Sequence, residues 1–235
     1  MIILGIDTSD SRGSVAVRKD GRTLQVAAHE SQEDYSSWLL PAVEGICKGS
    51  LVMPRDADVL AVSTGPGSFT GLRVGLTAVK AWAEVYGKKI VGVSRLEAMA
   101  GRAKGEGYIA SCYDAQRGHV FGGIFRRVRG EMEVVEGGMV VSPEEFLGVV
   151  AARCGSEAVA WVAMDGELMK RLPGWEERME IGDTMTACGG DVARSIAELG
   201  EERARKGQFT DALVLDANYV RRSDAEIFWK EKKKI

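Results

Sequence analysis

Ile3-Leu-Gly-Ile-Asp7-Thr-Ser-Asp-Ser-Arg-Gly13-Ser-Val-Ala and Ile109-Ala-Ser-Cys-Tyr-Asp114-Ala-Gln-Arg-Gly118-His-Val-Phe follow one plan: an apolar strand, an aspartate at its end, a short polar turn, then glycine and a second strand. The shared plan argues for duplication of a single unit, although the match is short and the aspartate-to-glycine spacing is six in the first copy and four in the second. Around the first copy, residues 2–6, 14–18 and 23–28 read as a three-stranded meander. Asp20-Gly21 makes its second connection, because a tight hairpin needs positive φ that glycine adopts freely. Around the second copy, Gly130 separates strands at 122–128 and 132–135.

Working outward, a helix is expected over 34–48, with Pro41 kinking it or delaying its start. A buried strand at 59–63 then runs into Gly65-Pro66-Gly67-Ser68-Phe69-Thr70-Gly71-Leu72-Arg73-Val74-Gly75, a glycine-rich turn feeding a helix to about residue 86, followed by a strand at 89–93. In the second half, Ser142-Pro143-Glu144-Glu145 opens a helix to about 153 as a capping box with proline at the first helical position. A strand at 158–164 and a helix at 191–206 follow. Meander, helix, strand, helix, strand, stated twice, implies a mixed α/β chain of two related lobes, 1–104 and 105–235, since a three-stranded sheet must bury its apolar face under helices. Two lobes leave a cleft between them, with Asp7 and Asp114 expected to face each other across it.

The 235 residues carry 31 Lys plus Arg against 34 Asp plus Glu, so the net charge of −3 attracts neither nucleic acid nor anionic lipid unaided. No apolar run approaches the roughly 20 residues of a membrane span, and the N-terminal Met-Ile-Ile-Leu-Gly-Ile-Asp lacks the positive region of a signal peptide. Cys47, Cys112, Cys154 and Cys188 offer neither a C-x-x-C pair nor a disulfide framework, which fits a reducing cytoplasm. Cys112 sits within an apolar strand and reads as a core thiol. The only histidines, His29 and His119, lie 90 residues apart, so no histidine metal site is expected. Gly189-Gly190-Asp191 reads as a loop, and the Lys-rich tail at Lys230, Lys232, Lys233 and Lys234 as a solvated terminus or a salt-sensitive contact to RNA backbone.

Two helical stripes stand out. Gly71, Gly75, Ala78 and Trp82 recur at i, i+4, i+7 and i+11, and Tyr35, Trp38, Ala42 and Gly45 at i, i+3, i+7 and i+10 beside an apolar stripe of Leu39, Val43 and Ile46. A glycine inside a helix costs about 1 kcal/mol relative to alanine, and close approach of another backbone is the usual compensation. Periodicity alone leaves two readings open: packing of the two helices on each other, or docking of a second subunit.

Asp7-Thr8-Ser9, the Gly65–Gly75 motif, Gly92-Val93-Ser94-Arg95-Leu96-Glu97, Asp114-Ala115-Gln116-Arg117-Gly118 and Tyr219-Val220-Arg221-Arg222-Ser223-Asp224-Ala225-Glu226 together resemble the TsaB (YeaZ) family of bacterial proteins required for N6-threonylcarbamoyladenosine in transfer RNA. The resemblance is weaker over 140–210. It implies the duplicated actin-like ATPase (ASKHA) fold of sugar kinases and Hsp70. It further implies a non-catalytic subunit that binds a TsaD-like catalytic paralogue, with a TsaE-like ATPase as third component and tRNA met only through the complex. On that footing Tyr35, Trp38, Ala42, Gly45, Gly71, Gly75, Ala78 and Trp82 are the expected partner-binding residues, and the same face predicts a homodimer when the chain is alone. No cofactor of its own is expected, ATP and Mg²⁺ binding at most weakly or within the complex. In actin-like folds the first hairpin cradles phosphate, which makes Asp7, Thr8, Ser9 and Asp114 a weak phosphate-binding set; turn capping is the reading these residues favour. The alternative is a small-molecule kinase or ATPase working in the interlobe cleft through Asp7.

Overall fold

The apolar run at 2–6 becomes β1 (Ile2–Asp7), the central strand of a five-stranded sheet. Up to Asp7 at its end it is apolar because both faces are covered: Leu4 and Ile6 pack on one side, Ile3 on the other. The structure, a computed structural model, describes residues 1–29, 33–164, 166–170 and 173–220. The lysine tail and the closing motif at 221–226 lie outside the described residues.

β2 (Ser14–Lys19) and β3 (Arg22–Ala28) join β1 antiparallel, turning at Asp20 and Gly21 with φ of 48° and 81°. β4 (Val59–Gly65) and β5 (Lys89–Ser94) extend the sheet in parallel, giving the order β3-β2-β1-β4-β5. The second sheet contains β6 (Gly107–Gln116), β7 (His119–Val128), β8 (Glu131–Val141), β9 (Val159–Ala163) and β10 (Thr184–Ala187), in the order β10-β9-β6-β7-β8. From its other edge this is the first sheet again, each strand replaced by the one five later. The short repeat in the sequence is therefore a repeat of whole topology.

Seven helices cover these sheets among the described residues: α1 (Tyr35–Ser50), α2 (Phe69–Tyr86), α3 (Arg95–Ala100), α4 (Pro143–Cys154), α5 (Gly166–Lys170), α6 (Trp175–Ile181) and α7 (Val192–Arg205). None is long and apolar enough to cross a membrane. Pro41 neither ends nor delays α1; it and Ser37 are exposed, so the carbonyl that proline leaves without a donor lies where solvent can reach it. Ser142 and Glu145 cap α4 reciprocally, at 3.0 and 3.2 Å. The sequence reading missed α3, α5, α6 and β10, which are too short to show a period.

α1 and α2 cover the outer face of the first sheet, burying Leu39, Val43, Ile46, Leu76 and Val79 against Leu4, Ile6, Leu60 and Val62. Phe146, Leu147 and Val150 of α4 cover the outer face of the second sheet. α3 and α7 lie between the sheets. α7 crosses back onto the first sheet: a Cβ on Gly5 would stand 2.5 Å from the Ala193 carbonyl, and one on Gly200 2.5 Å from Ala61. A division at 104/105 thus separates the sheets but not their helices. Ile3, Ala61 and Val93 of one sheet, Leu96 and Met99 of α3, Ile109, Phe121 and Val162 of the other sheet, and Ile196 of α7 form one continuous core. Much of the expected cleft is packed interior.

Candidate functional site

The turn after β1 is the first candidate, and it is closed. Asp7, Thr8 and Ser9 are all buried. Thr8 Oγ1 donates to the Gly71 carbonyl at 2.7 Å, Ser9 and Ser63 share a hydroxyl hydrogen bond at 2.5 Å, and one Asp7 oxygen accepts the Ser9 amide at 3.0 Å. The other Asp7 oxygen accepts Arg95 Nε at 3.0 Å, both side chains being fully buried. These residues do not fit an open cradle for ATP phosphates and Mg²⁺, because the Asp7 carboxylate, the Thr8 and Ser9 hydroxyls and the Ser9 amide are already engaged inside the chain. Asp114 does not face Asp7 either; its oxygens accept the amide and side chain of Gln116 at 2.7 and 3.0 Å. Tyr113, pointing the opposite way along the strand, is the residue that reaches the Asp7 side, with Arg95 stacked 4.4 Å above its ring.

Burial alone would raise the Asp10 carboxyl, yet Arg95 and Arg12 beside it hold it below its ordinary value of 3.8. Arg95 has its own pKa raised: burial disfavours its charge, and Asp7, Tyr113 and Asp10 together outweigh burial. The Tyr35 hydroxyl, which donates to the Asp10 carbonyl, is raised by burial and then by the charge of Asp7.

The glycines of the 65–75 motif serve this same turn. A Cβ on Gly67 would collide with the Ser9 carbonyl, one on Gly71 with the Thr8 carbonyl, and one on Gly75 with Thr8 Oγ1. Ser68 also donates its amide to Ser9 O at 2.6 Å. The close approach expected at Gly71 and Gly75 is therefore made by this chain's own Thr8, through its backbone carbonyl at Gly71 and its side chain at Gly75, which corrects their placement on a partner surface. Trp38 is likewise drawn inward, edge-on to His29 with ring centroids 5.0 Å apart. Gly45 is exposed with nothing within 4 Å of its would-be Cβ, and Ala42 is half-buried; neither lines the groove described next.

Beyond the turn, α1 and α2 diverge around an apolar groove of about 680 Å³. Tyr35, Leu39 and Leu40 form one wall; Phe69, Val74, Ala78, Ala81 and Trp82 form the other. Three of the eight expected partner residues, Tyr35, Ala78 and Trp82, thus share one surface. Leu40 is 57% exposed and Phe69 38%. Arg73 lies 3.8 Å above the Phe69 ring and donates to the Tyr219 hydroxyl at 3.2 Å, bounding one end. A second recess of about 580 Å³, lined in part by Ser11, Arg12, His29 and Ser68, adjoins the groove through Tyr35, Ser36, Thr70 and Val74. The signal missed in the sequence is a second stripe, Thr70, Val74, Thr77 and Ala81, with the same i, i+4, i+7, i+11 spacing as the glycine stripe.

The family model for TsaD, tRNA N6-adenosine threonylcarbamoyltransferase, matches residues 26–227. The tRNA threonylcarbamoyladenosine biosynthesis protein TsaB of Bacillus subtilis is 28% identical over the full length of both chains. That of Escherichia coli is 31% identical over 84% of this chain and 93% of its own. A tRNA N6-adenosine threonylcarbamoyltransferase of Anaeromyxobacter dehalogenans is 32% identical over 40% of this chain and 33% of its own. Among solved structures, YeaZ from Pseudomonas aeruginosa superposes with a TM-score of 0.74 at 24% identity, over 93% of this chain and 99% of that one. A ROK hexokinase from Thermus thermophilus superposes at 0.53 with 12% identity, over 87% of this chain and all of that one, so the fold is the two-lobed actin-like one.

Proposed function

This chain belongs to the TsaB (YeaZ) family of tRNA threonylcarbamoyladenosine biosynthesis proteins, and from that premise we propose that it is the non-catalytic subunit of a threonylcarbamoyltransferase complex. It presents the α1–α2 groove to a TsaD-like paralogue and thereby organises that partner for modification of adenosine in tRNA. The observation that carries this reading is the groove itself: exposed leucine and aromatic side chains line it, whereas Asp7 is sealed against Arg95. Aromatic anchors in a concave apolar surface are what a stable subunit contact uses. The partial match to a threonylcarbamoyltransferase supports a partner of related build. A TsaE-like ATPase completes the assembly, tRNA is met through the complex, and the proposed place of work is the cytoplasm. In this reading the subunit needs no cofactor of its own, ATP and Mg²⁺ entering at most weakly or with the complex. Alone, it pairs with itself through the same groove.

The test is gel filtration of the chain with the TsaD-like protein of its own host. Trp82→Ala and Leu40→Asp are expected to weaken the complex by about 30-fold or more, as central interface anchors do. Unaltered affinity in both variants would remove the groove from consideration. Calorimetry with ATP and Mg²⁺ on the isolated chain is expected to register no tight binding; tight binding would favour the kinase reading instead.

A further inference from the structure

The groove depends on where α1 and α2 begin, and both begin on the 7–12 turn. α1 is tied to it by the Tyr35 hydroxyl donating to the Asp10 carbonyl. α2 is tied to it by the Thr8 hydroxyl on Gly71 O and by the Ser68 amide on Ser9 O. The far side of the turn rests on a single cation from between the lobes. Arg95, the first residue of α3 and fully buried, reaches Asp7 Oδ2 through Nε at 3.0 Å and the Arg12 carbonyl through Nη2 at 3.4 Å. Its Nη1 lies 3.2 Å from Asp10 Oδ2 without hydrogen-bond geometry, the one buried side-chain polar atom among the described residues with no hydrogen-bond partner. Tyr113 of the second sheet lies under that guanidinium, and its hydroxyl donates to the Pro66 carbonyl, in the loop that leads into α2. The second lobe therefore touches the base of the groove twice through one side chain, once through Arg95 and once through Pro66.

We propose that Arg95 and Tyr113 are positioning residues through which the second lobe sets the alignment of α1 and α2, and hence the shape of the docking groove. This rests on the reading of that groove given above. The charge pair leaves Arg95 little freedom to move, since separating it from Asp7 would strand two ions in the interior. A shift of β6 relative to the first sheet must then move the 7–12 turn, the 65–68 loop, or both. Packed side chains with few alternative arrangements transmit such shifts instead of absorbing them.

Tyr113→Phe removes one oxygen and keeps the ring under Arg95, so the fold is expected to survive. Hydrogen exchange on the isolated chain reads the effect: the first turns of α1 and α2 are expected to exchange roughly 2- to 30-fold faster than in the unaltered chain, the span of typical coupling energies. Arg95→Lys is expected to do the same, and combining the two substitutions is expected to add less than their separate effects predict. Acceleration confined to 107–128, with both helix starts unchanged, would overturn the proposal. Should Arg95→Lys fail to fold, Tyr113→Phe alone decides. In the complex, Tyr113→Phe is expected to weaken partner affinity by a similar factor. If exchange rises at the helix starts while no partner binds any version of the chain, the coupling stands and the docking reading falls.

Discussion

Gly71 and Gly75 carry opposite expectations depending on what lies across from them. In an open helix, glycine to alanine gains about 1 kcal/mol. Here an added methyl meets Thr8, so Gly75→Ala is expected to cost about 1–3 kcal/mol by overpacking, measured by urea unfolding. Gly45→Ala is the control: with open space around it, it is expected to stabilise by about 0.5–1 kcal/mol. Equal signs for the two would contradict the close contact. Asp10 makes a pH prediction. Its carboxyl is lowered in the folded chain, so its contribution is present above the ordinary value of 3.8 and is lost as pH falls through the folded value. Acid unfolding followed by circular dichroism is expected to be less steep below about pH 4 in Asp10→Asn, which is also less stable near neutrality.

For the two helices, one face carries two duties along its length. Gly71 and Gly75 start the stripe under the 7–9 turn, and Ala78 and Trp82 continue it at the groove once the turn has been left behind. Helical spacing places residues on a face but does not say where the covering element stops. On α1, Leu39 serves both the core and one wall of the groove, while Leu40 is left exposed beside it. Leu40→Asp should therefore change stability by no more than about 0.5 kcal/mol. Light scattering over a dilution series is expected to show the unaltered chain dissociating from dimer to monomer and the variant monomeric throughout. A persistent dimer in Leu40→Asp would place self-association on another surface.

At the scale of the whole molecule, the two lobes share a core, and neither owns all of its covering helices. Residues 1–104 alone would expose Ile3, Ala61 and Val93, which α7 and the second sheet now bury, so that fragment is expected to lack a cooperative melting transition in calorimetry. The full chain is expected to show one transition; two separated ones would mean independent lobes. The duplicated meander, the hairpin at Asp20-Gly21 and the cap at Ser142 were legible because each depends on residues close in sequence, where alternation, positive φ and capping act locally. Which segment nestles against Gly71 and Gly75, that Arg95 neutralises Asp7 across 88 residues, and that α7 returns to the first sheet were decided only by the tertiary structure. A side chain's chemistry names what it needs, a backbone or an opposite charge, while long-range packing alone selects which of the available partners comes within reach.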